Sequence, residues 1–387
     1  MKNKEEKVEF NSFPTRFVPK GRKELEKMSK KIIIIITIIS VIIVLTIASI
    51  LGYNNGLKPV NKDNNKAEIV EIEQGTRTEG IINLLKEKKL IRSSLATKIY
   101  IKLNKVKNLQ AGKYELNQSM PLSEILKKIS SGEIYDESVK ITFKEGKNMR
   151  WIAKTIAEKT NNTEEDVFNL LKDETYIDSL IQKYWFLSDT IKDQNIYYAL
   201  EGYLYPDTYK FENANVSVKT IFNIILNNTD KVLSDYKQEI ENKKISVHNL
   251  LTIASIIELE GKDSDSRAGI SSVIYNRLKS NMSLGSDVTT YYAMQVDMGE
   301  RNLYSSELKT SNPYNTRGPN MNGKLPIGPI ANPSEESIKA ALNPSQTNYL
   351  YFVADSNGKI YFAKTYQEHQ NIIKELQKQG LWYEYSE

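Results

Sequence analysis

Hydrophobic and polar positions divide the chain into distinct textures. The first is an unbroken apolar run at residues 32–51, "IIIIITIISVIIVLTIASIL", twenty residues without a charge. At about 1.5 Å per residue such a run matches the roughly 30 Å hydrocarbon core of a bilayer. It is longer than the apolar part of a secretory signal and has no evident small-residue cleavage site after it. The pattern predicts one transmembrane helix over residues 32–53. A polar, Asn-rich stretch with Gly and Pro follows, and residues 54–66 read as a linker. Periodicity then returns. "AEIVEIEQG" alternates like a strand and stops at Gly75, "TEGIINLLKEKKL" and "SSLATKIYIKL" are amphipathic helical patterns, "GKYELN" is a strand, and "PLSEILKKISSGE" is a helix ending before Gly132. Residues 67–134 thus form a small β-α-α-β-α unit.

The next stretch repeats that texture. "VKITFKEGKNMRWIAKTIAEK" runs strand, Gly146, helix, and the interval from Gly75 to Ile81 recurs from Gly146 to Ile152, with Leu85 and Ile156 each four residues on. This is a hint of duplication. Helical patterns continue through "TEEDVFNLLKDETYIDSLI". "EGYLYPDTYKF" then places Tyr203, Tyr205, Tyr209 and Phe211 on one side of an extended segment, a row that suits either a strand's core face or a sugar groove. Residues 135–245 read as an intermediate helical and strand region, and residues 246–387 as one mixed helix–strand domain closed by a hairpin through "SNG". The expected fold class is α+β behind a single N-terminal membrane helix.

Composition narrows the chemistry. Cysteine is absent, which excludes disulfides, thiol nucleophiles and thiolate metal sites. The two histidines, His248 and His369, are too few for a histidine-built metal centre. Acid–base work falls to carboxylates, and no cofactor or metal is expected. Of the 53 basic and 48 acidic residues, residues 1–31 hold ten and five, so 43 of each remain and the rest of the chain is formally neutral. No basic footprint for nucleic acid exists. The basic arm, residues 1–31, ends in Lys30 and Lys31 beside the apolar run, whereas residues 54–73 carry only Lys58, Lys62 and Lys66. The positive-inside rule puts the arm in the cytoplasm and everything beyond the span outside.

Within this frame, "TIASIIELEG" at residues 252–261 holds two glutamates in an otherwise apolar segment. Ser246 can cap a helix that runs to Gly261, with Glu258 on the face of Val247, Leu251, Ala254 and Ser255 and Glu260 nearly opposite, beside Ile253 and Ile256. Burial would raise either carboxyl from its reference near 4.3 toward about 6, where it can hold and donate a proton near neutrality. Lys262, four residues after Glu258, offers the competing reading of a helical ion pair.

Downstream, residues 266–278 form a second amphipathic helix carrying Arg267, Asn276 and Arg277. Asp287 is placed to cap the next helix, "VTTYYAM". "NPYNTRG" presents Tyr314, Asn315 and Thr316 on a Pro/Gly-framed loop, suited to a sugar or to a turn. "LPIGPIANPS" reads as a rigid loop.

"LEGYLYPDTY", "ASIIELEG…SRAGISSVIYNRLKSNMSLGSDVTTYY", "NPYNTRG…LPIGPIANPS" and "YLYFVAD", in this order and behind a membrane span, resemble the YceG-like endolytic murein transglycosylases. The resemblance covers essentially the whole outer region. It implies that Glu258 is catalytic, with Asp287, Tyr314, Asn315, Thr316 and Asn276 as substrate-binding candidates, and that residues 67–134 are a LysM-like subdomain. The implied reaction is non-hydrolytic cleavage of MurNAc-β-1,4-GlcNAc bonds inside nascent glycan strands, leaving 1,6-anhydro-MurNAc ends. The implied partners are peptidoglycan, the peptidoglycan synthases or penicillin-binding proteins, and the cytoplasmic membrane. Two positions depart from the family pattern: Gly285 and Val288 stand where Gln and Pro are usual around Asp287, and Arg317 follows Asn315-Thr316 where an aromatic residue is common. Two rivals stay open. A hydrolytic muramidase would need a second carboxylate, for which Glu201, Glu260 and Asp287 are available. A non-catalytic, membrane-anchored wall-binding scaffold would leave Glu258 as the partner of Lys262.

Overall fold

The structure, a computed structural model, describes residues 20–382. The first nineteen residues of the expected basic arm lie outside them. Contacts divide the chain into two compact units, Met1–Asp136 and Glu137–Glu387.

The first unit opens with helix α1, Lys20–Gly56, 37 residues long. Its part from Lys27 to Gly56 is long and apolar enough to cross a membrane. The hydroxyls of Thr37, Ser40, Thr46 and Ser49 each donate to the carbonyl four residues earlier, at 2.7–2.9 Å, so none is left without a partner on the apolar cylinder. The helix outruns the expected span at both ends. It stops at Gly56, where a Cβ would lie 2.5 Å from that of Ala96. Strand β1 (Glu68–Ile72), helices α2 (Thr78–Glu87) and α3 (Ser94–Leu103), strand β2 (Gly112–Leu116) and helix α4 (Leu122–Ser131) follow in the predicted order. β1 and β2 are antiparallel, with Glu68 opposite Leu116. Their inward residues Val70, Ile72, Tyr114 and Leu116 join Ile81, Leu85, Ile125 and Ile129 in a separate small core. Such a core supports the unit through apolar burial.

The second unit begins with strand β3 (Val139–Thr142) and helices α5 (Met149–Lys159), α6 (Glu164–Lys172) and α7 (Glu174–Lys183). After a short 3-10 turn, strand β4 (Thr208–Phe211) pairs antiparallel with β3, Val139 opposite Phe211. Tyr203, Tyr209 and Phe211 are buried in the core, while Tyr205 is half-buried, so three of the four rings in the aromatic row pack inward. Helices α8 (Val218–Ser234), α9 (Lys237–Lys243), α10 (Val247–Glu260), α11 (Ser264–Lys279), α12 (Asp287–Ala293), α13 (Ser305–Leu308) and α14 (Glu335–Leu342) come next. An antiparallel hairpin of β5 (Tyr351–Ala354) and β6 (Ile360–Ala363), and helix α15 (Tyr366–Lys378), complete the chain. The architecture is α+β, with three two-stranded sheets among the described residues.

Helix α10 is the axis of this unit. Ser246 caps it by accepting from the Asn249 N–H, and every residue from Leu250 to Ile257 is buried. A helix apolar on all sides can be satisfied only by neighbours on all sides, and α11, α12 and α14 surround it. His248 is one of these structural residues. Its Nδ1 lies 3.0 Å from the Tyr203 hydroxyl and its Nε2 2.7 Å from the Ile327 carbonyl, and burial lowers its pKa.

Gly202 marks the tightest approach of this core to the loop that follows α13. Its φ is +82°, and a Cβ there would sit 2.3 Å from that of Pro329. Replacement of Gly202 by Ala is expected to cost roughly 2–4 kcal/mol, from left-handed backbone strain plus overpacking. Gly380, also at positive φ but facing open space, should cost only the backbone part, roughly 1 kcal/mol on substitution by Ala. Thermal unfolding of the two detergent-solubilised variants checks this; equal midpoints would refute the packing argument.

Candidate functional site

Glu258 sits in the last turn of α10, its side chain 7 % exposed. An ionisable group so enclosed must find donors within the protein, and four converge on it. Ser334 supplies its N–H at 2.9 Å and its hydroxyl, and Ser337 its hydroxyl at 2.7 Å, all to Oε2. Arg267 approaches Oε1 with Nη2 at 3.3 Å and pairs through Nη1 with Glu336. Ser334 is the N-cap of α14 and Ser337 lies in its first turn, so Glu258 rests on the positive end of that helix. Oε2 is fully committed, whereas Oε1 has one long contact.

The helix ends where it does for a local reason. Gly261 is extended and turns the chain so closely past α11 that a Cβ there would lie 2.8 Å from Arg267 Cγ. This removes the expected pairing of Glu258 with Lys262. Lys262 lies past the helix end, off the i+4 register, and donates instead to the Asn357 carbonyl at 3.2 Å. Arg267 takes the place assigned to it.

A second segment closes the site. Gly146 adopts φ +69°, and a Cβ there would touch Glu258 Cγ and Leu259 Cδ2 at 3.5 Å. Gly146 N–H donates to the Asn332 carbonyl, and Asn332 returns its own N–H and its Nδ2 to the Lys147 carbonyl at 3.0 and 2.9 Å. Two residues after Asn332 comes Ser334, so one loop holds both the Gly146 turn and the catalytic candidate. Burial, and next the charge of Glu258, raise the pKa of the neighbouring Glu145 carboxyl, with Arg267 opposing and Glu336 adding. Gly146 and Leu259 also line a cavity of about 140 Å³ with Trp151, Val288, Tyr291 and Ile330, and with Lys147, Asn148 and Asp297 as polar lining residues.

The other sequence-derived candidates fall in different places. Asp287 is the first residue of α12, the N-cap being Ser286, and its carboxylate pairs with Arg317. Ser286 donates to Glu260 Oε1 at 2.6 Å. Burial pushes Glu260 up to about 6, against the Ser286 hydrogen bond and with repulsion from Asp287 adding, which matches the shift expected for it. Tyr314, Asn315 and Thr316 are fully buried. Asn315 accepts from Thr290 and donates to the carbonyls of Glu307, Leu308 and Thr310. Thr316 Oγ1 accepts from the Ser286 N–H and bonds Thr289, and Tyr314 packs between Tyr197, tilted against it, and Tyr292, edge-on to it. Asn276 lies apart, its Nδ2 on the carbonyls of Thr347 and Tyr349. Glu201 is enclosed, at 1 % exposure, and accepts from Met149 N–H, the Tyr292 hydroxyl and Asn332. Among the described residues no group of His, Cys, Asp or Glu is arranged to hold a metal ion.

Reading by sequence passed over Ser334, Ser337 and Asn332 and left Arg267 without a role. The signal was present in "NPSEES": a Ser directly before two acidic residues and a helical run is a cap pattern, and a capped N-terminus is where an anion can rest.

Comparison with known proteins gives concordant results. A model of the YceG-like family matches residues 70–375. An endolytic murein transglycosylase of Bacillus subtilis (strain 168) is 39% identical over 323 residues, 82% of this chain and 87% of that protein. One from Streptococcus pneumoniae serotype 2 is 30% identical over 360 residues, 88% of this chain and 64% of the relative. A crystal structure of a yceG-like protein from Listeria monocytogenes superposes with a TM-score of 0.57 at 35% identity, covering 79% of this chain and 99% of that one.

The shift at Glu260 has a consequence for stability. Its folded pKa of about 6 exceeds the ordinary 4.5, so between these values the folded state binds more protons than the unfolded one. Stability contributed by this group is present below pH 4.5 and is lost as pH rises to 6, by about 1–2 kcal/mol. Denaturant titrations of wild type and Glu260→Gln at pH 4.5 and 7 are expected to show wild type declining by about 1–2 kcal/mol more than the variant, in which Glu201, raised to about 7, still contributes its own decline. A decline of equal size in both would reject the assignment.

Proposed function

The chain belongs to the YceG-like family and is a lytic transglycosylase acting on peptidoglycan, and we propose that it cuts MurNAc-β-1,4-GlcNAc bonds within nascent strands, leaves 1,6-anhydro-MurNAc ends, and so ends strand elongation. The observation that carries the reading is the setting of Glu258: a carboxyl next to Gly146 and Leu259 of the cavity lining, with one oxygen saturated by Ser334 and Ser337 and the other held only by Arg267 at 3.3 Å. A carboxyl anchored through one oxygen can move a proton on the other without losing its position.

In the proposed course, Glu258 Oε1 gives its proton to the glycosidic oxygen as the bond to C1 of MurNAc breaks, and GlcNAc leaves with a free hydroxyl. The same oxygen then takes the proton of the MurNAc C6 hydroxyl as O6 bonds to C1, closing the 1,6-anhydro ring and restoring the acid. No water is consumed. One carboxyl serves both steps, unlike the paired carboxylates of hydrolytic glycosidases, and the intramolecular hydroxyl carries the advantage of proximity. Arg267, Ser334 and Ser337 hold Glu258. Asp287 orients the sugar from the edge of α12, while Tyr314, Asn315, Thr316 and Asn276 act at a distance by fixing the elements that bear such contacts.

The long apolar helix supports anchoring to the cytoplasmic membrane, with the basic arm inside, the remainder outside, and newly made glycan within reach. Residues 67–134 are assigned as a LysM-like subdomain on their strand–helix–helix–strand order. Peptidoglycan synthases are the natural partners, since they deliver the strand being cut.

The test is mass spectrometry of glycan treated with the full-length protein in detergent. Fragments one water lighter than reducing-end muropeptides are expected, with the rate lowered about 10²- to 10⁴-fold by Glu258→Gln. Ordinary reducing ends would make the enzyme a hydrolase. No cleavage of nascent strands by the wild type would leave a wall-binding scaffold.

A further inference from the structure

The proposed mechanism leaves Glu201, the most enclosed of the glutamates, without a task. Glu201 ties together three segments that surround the cavity. Its Oε2 accepts from the Met149 N–H at the start of α5 and from the Tyr292 hydroxyl on α12, both at 2.9 Å, and its Oε1 accepts from Asn332 Nδ2 at 3.3 Å. Asn332 has no freedom left. Its Oδ1 accepts from the Leu204 N–H at 2.9 Å, and its backbone N–H and carbonyl are paired with Lys147 and Gly146. Two residues further, Ser334 delivers its N–H and hydroxyl to Glu258.

These three partners are donors, and the interior holds little else that bears charge near the group. Arg150 from α5 and the phenols of Tyr198, Tyr292 and Tyr314 are the titratable neighbours that face it. Burial pushes Glu201 up to about 7, against the bonds from Met149 and Tyr292 and the charge of Arg150. A carboxyl set apart from any counter-ion at hydrogen-bonding distance, yet bonded on both oxygens, is an expensive way to brace a core. Its partners suggest what it braces.

We propose that Glu201 is a positioning residue for the transglycosylase reaction, fixing Asn332 and through it the Ser334 donors on which Glu258 rests. The proposal depends on Glu258 being the acid–base group. A carboxylate accepts at both oxygens, whereas an amide presents an NH₂ to at least one of these donors, so Glu201→Gln should displace Asn332 while nearly preserving volume. A shift of the Ser334 loop would misplace Glu258 in the transition state more than it weakens glycan binding.

Steady-state cleavage by the full-length protein tests this, at a temperature well below the unfolding midpoint of each variant. Glu201→Gln is expected to lower kcat about 10- to 100-fold with KM within about two-fold, the split that marks a lost transition-state interaction. Asn332→Ala should do the same, and the double variant should lose no more than the worse single one, because both act through one contact. An unchanged kcat in Glu201→Gln, or losses that multiply in the double variant, would overturn the proposal. If Glu201→Gln does not fold, Tyr292→Phe replaces it. Removing that hydrogen bond lets Glu201 hold its proton to higher pH, so the acidic limb of kcat should move upward; a limb that stays in place would overturn the proposal equally. Absence of anhydro products from the wild type would instead defeat the functional reading itself, and an active wild type with Glu258→Gln inactive isolates the question to Glu201.

Discussion

The enclosed carboxyl of Glu258 is the constraint from which the arrangement of the second unit follows. A carboxyl on an all-apolar helix is tolerated only if donors reach it, and α10 can supply none from its own turns. They arrive from α11 as a guanidinium and from the start of α14 as an N–H and two hydroxyls. For α14 to point its N-terminus at Glu258, the preceding loop must pass under the Gly146 turn, and Asn332 pairs with that turn through its own backbone. For Arg267 to fold back, the residue at 261 must lack a side chain. Glycine at 146 and at 261 is therefore part of the setting of Glu258 as much as its donors are.

The same physics explains what could be read in advance. Apolar run, caps and alternation are local, and they give α1, the β1-α2-α3-β2-α4 order, the extent of α10 and the closing hairpin. Partner choice is not local. The i+4 rule that pointed to Lys262 holds only while the helix continues, and α10 stops at Glu260. The true donors lie 9, 76 and 79 residues away, a separation at which pattern carries no distance information. At Tyr203, Tyr209 and Phe211 pattern allowed a groove as well as the core packing that a strand favours, and burial decides for the core.

Tyr314, Asn315 and Thr316 show a subtler effect. Hydroxyls and an amide on a Pro/Gly-framed loop resemble a ligand-binding set because a sugar and a backbone offer the same donors and acceptors. Here Asn315 meets three carbonyls of the preceding turn and Thr316 meets the Ser286 N–H. Their hydrogen-bonding capacity is turned inward, holding the entry to α12 and, through Ser286, the carboxyl of Glu260. Sequence identifies such residues as special without saying on which side of the surface they act.

Three enclosed glutamates on one fold thus have three environments. Glu260 has one hydroxyl donor and an acidic neighbour, and sits near 6; Glu201 has three donors without an ion pair, and sits near 7. Glu258 alone among them combines hydroxyl donors, a helix N-terminus and a guanidinium. Differences of this kind separate carboxyls that do chemistry from those that hold structure. A proton-transfer group must pass through both charge states without moving, so it needs one oxygen fixed and one available. Glu201 is bonded on both oxygens to three separate segments, and protonation there would disturb the scaffold rather than a substrate. The contrast between Glu201, bonded on both oxygens, and Glu258, with one oxygen saturated and one lightly held, follows from where the donors are.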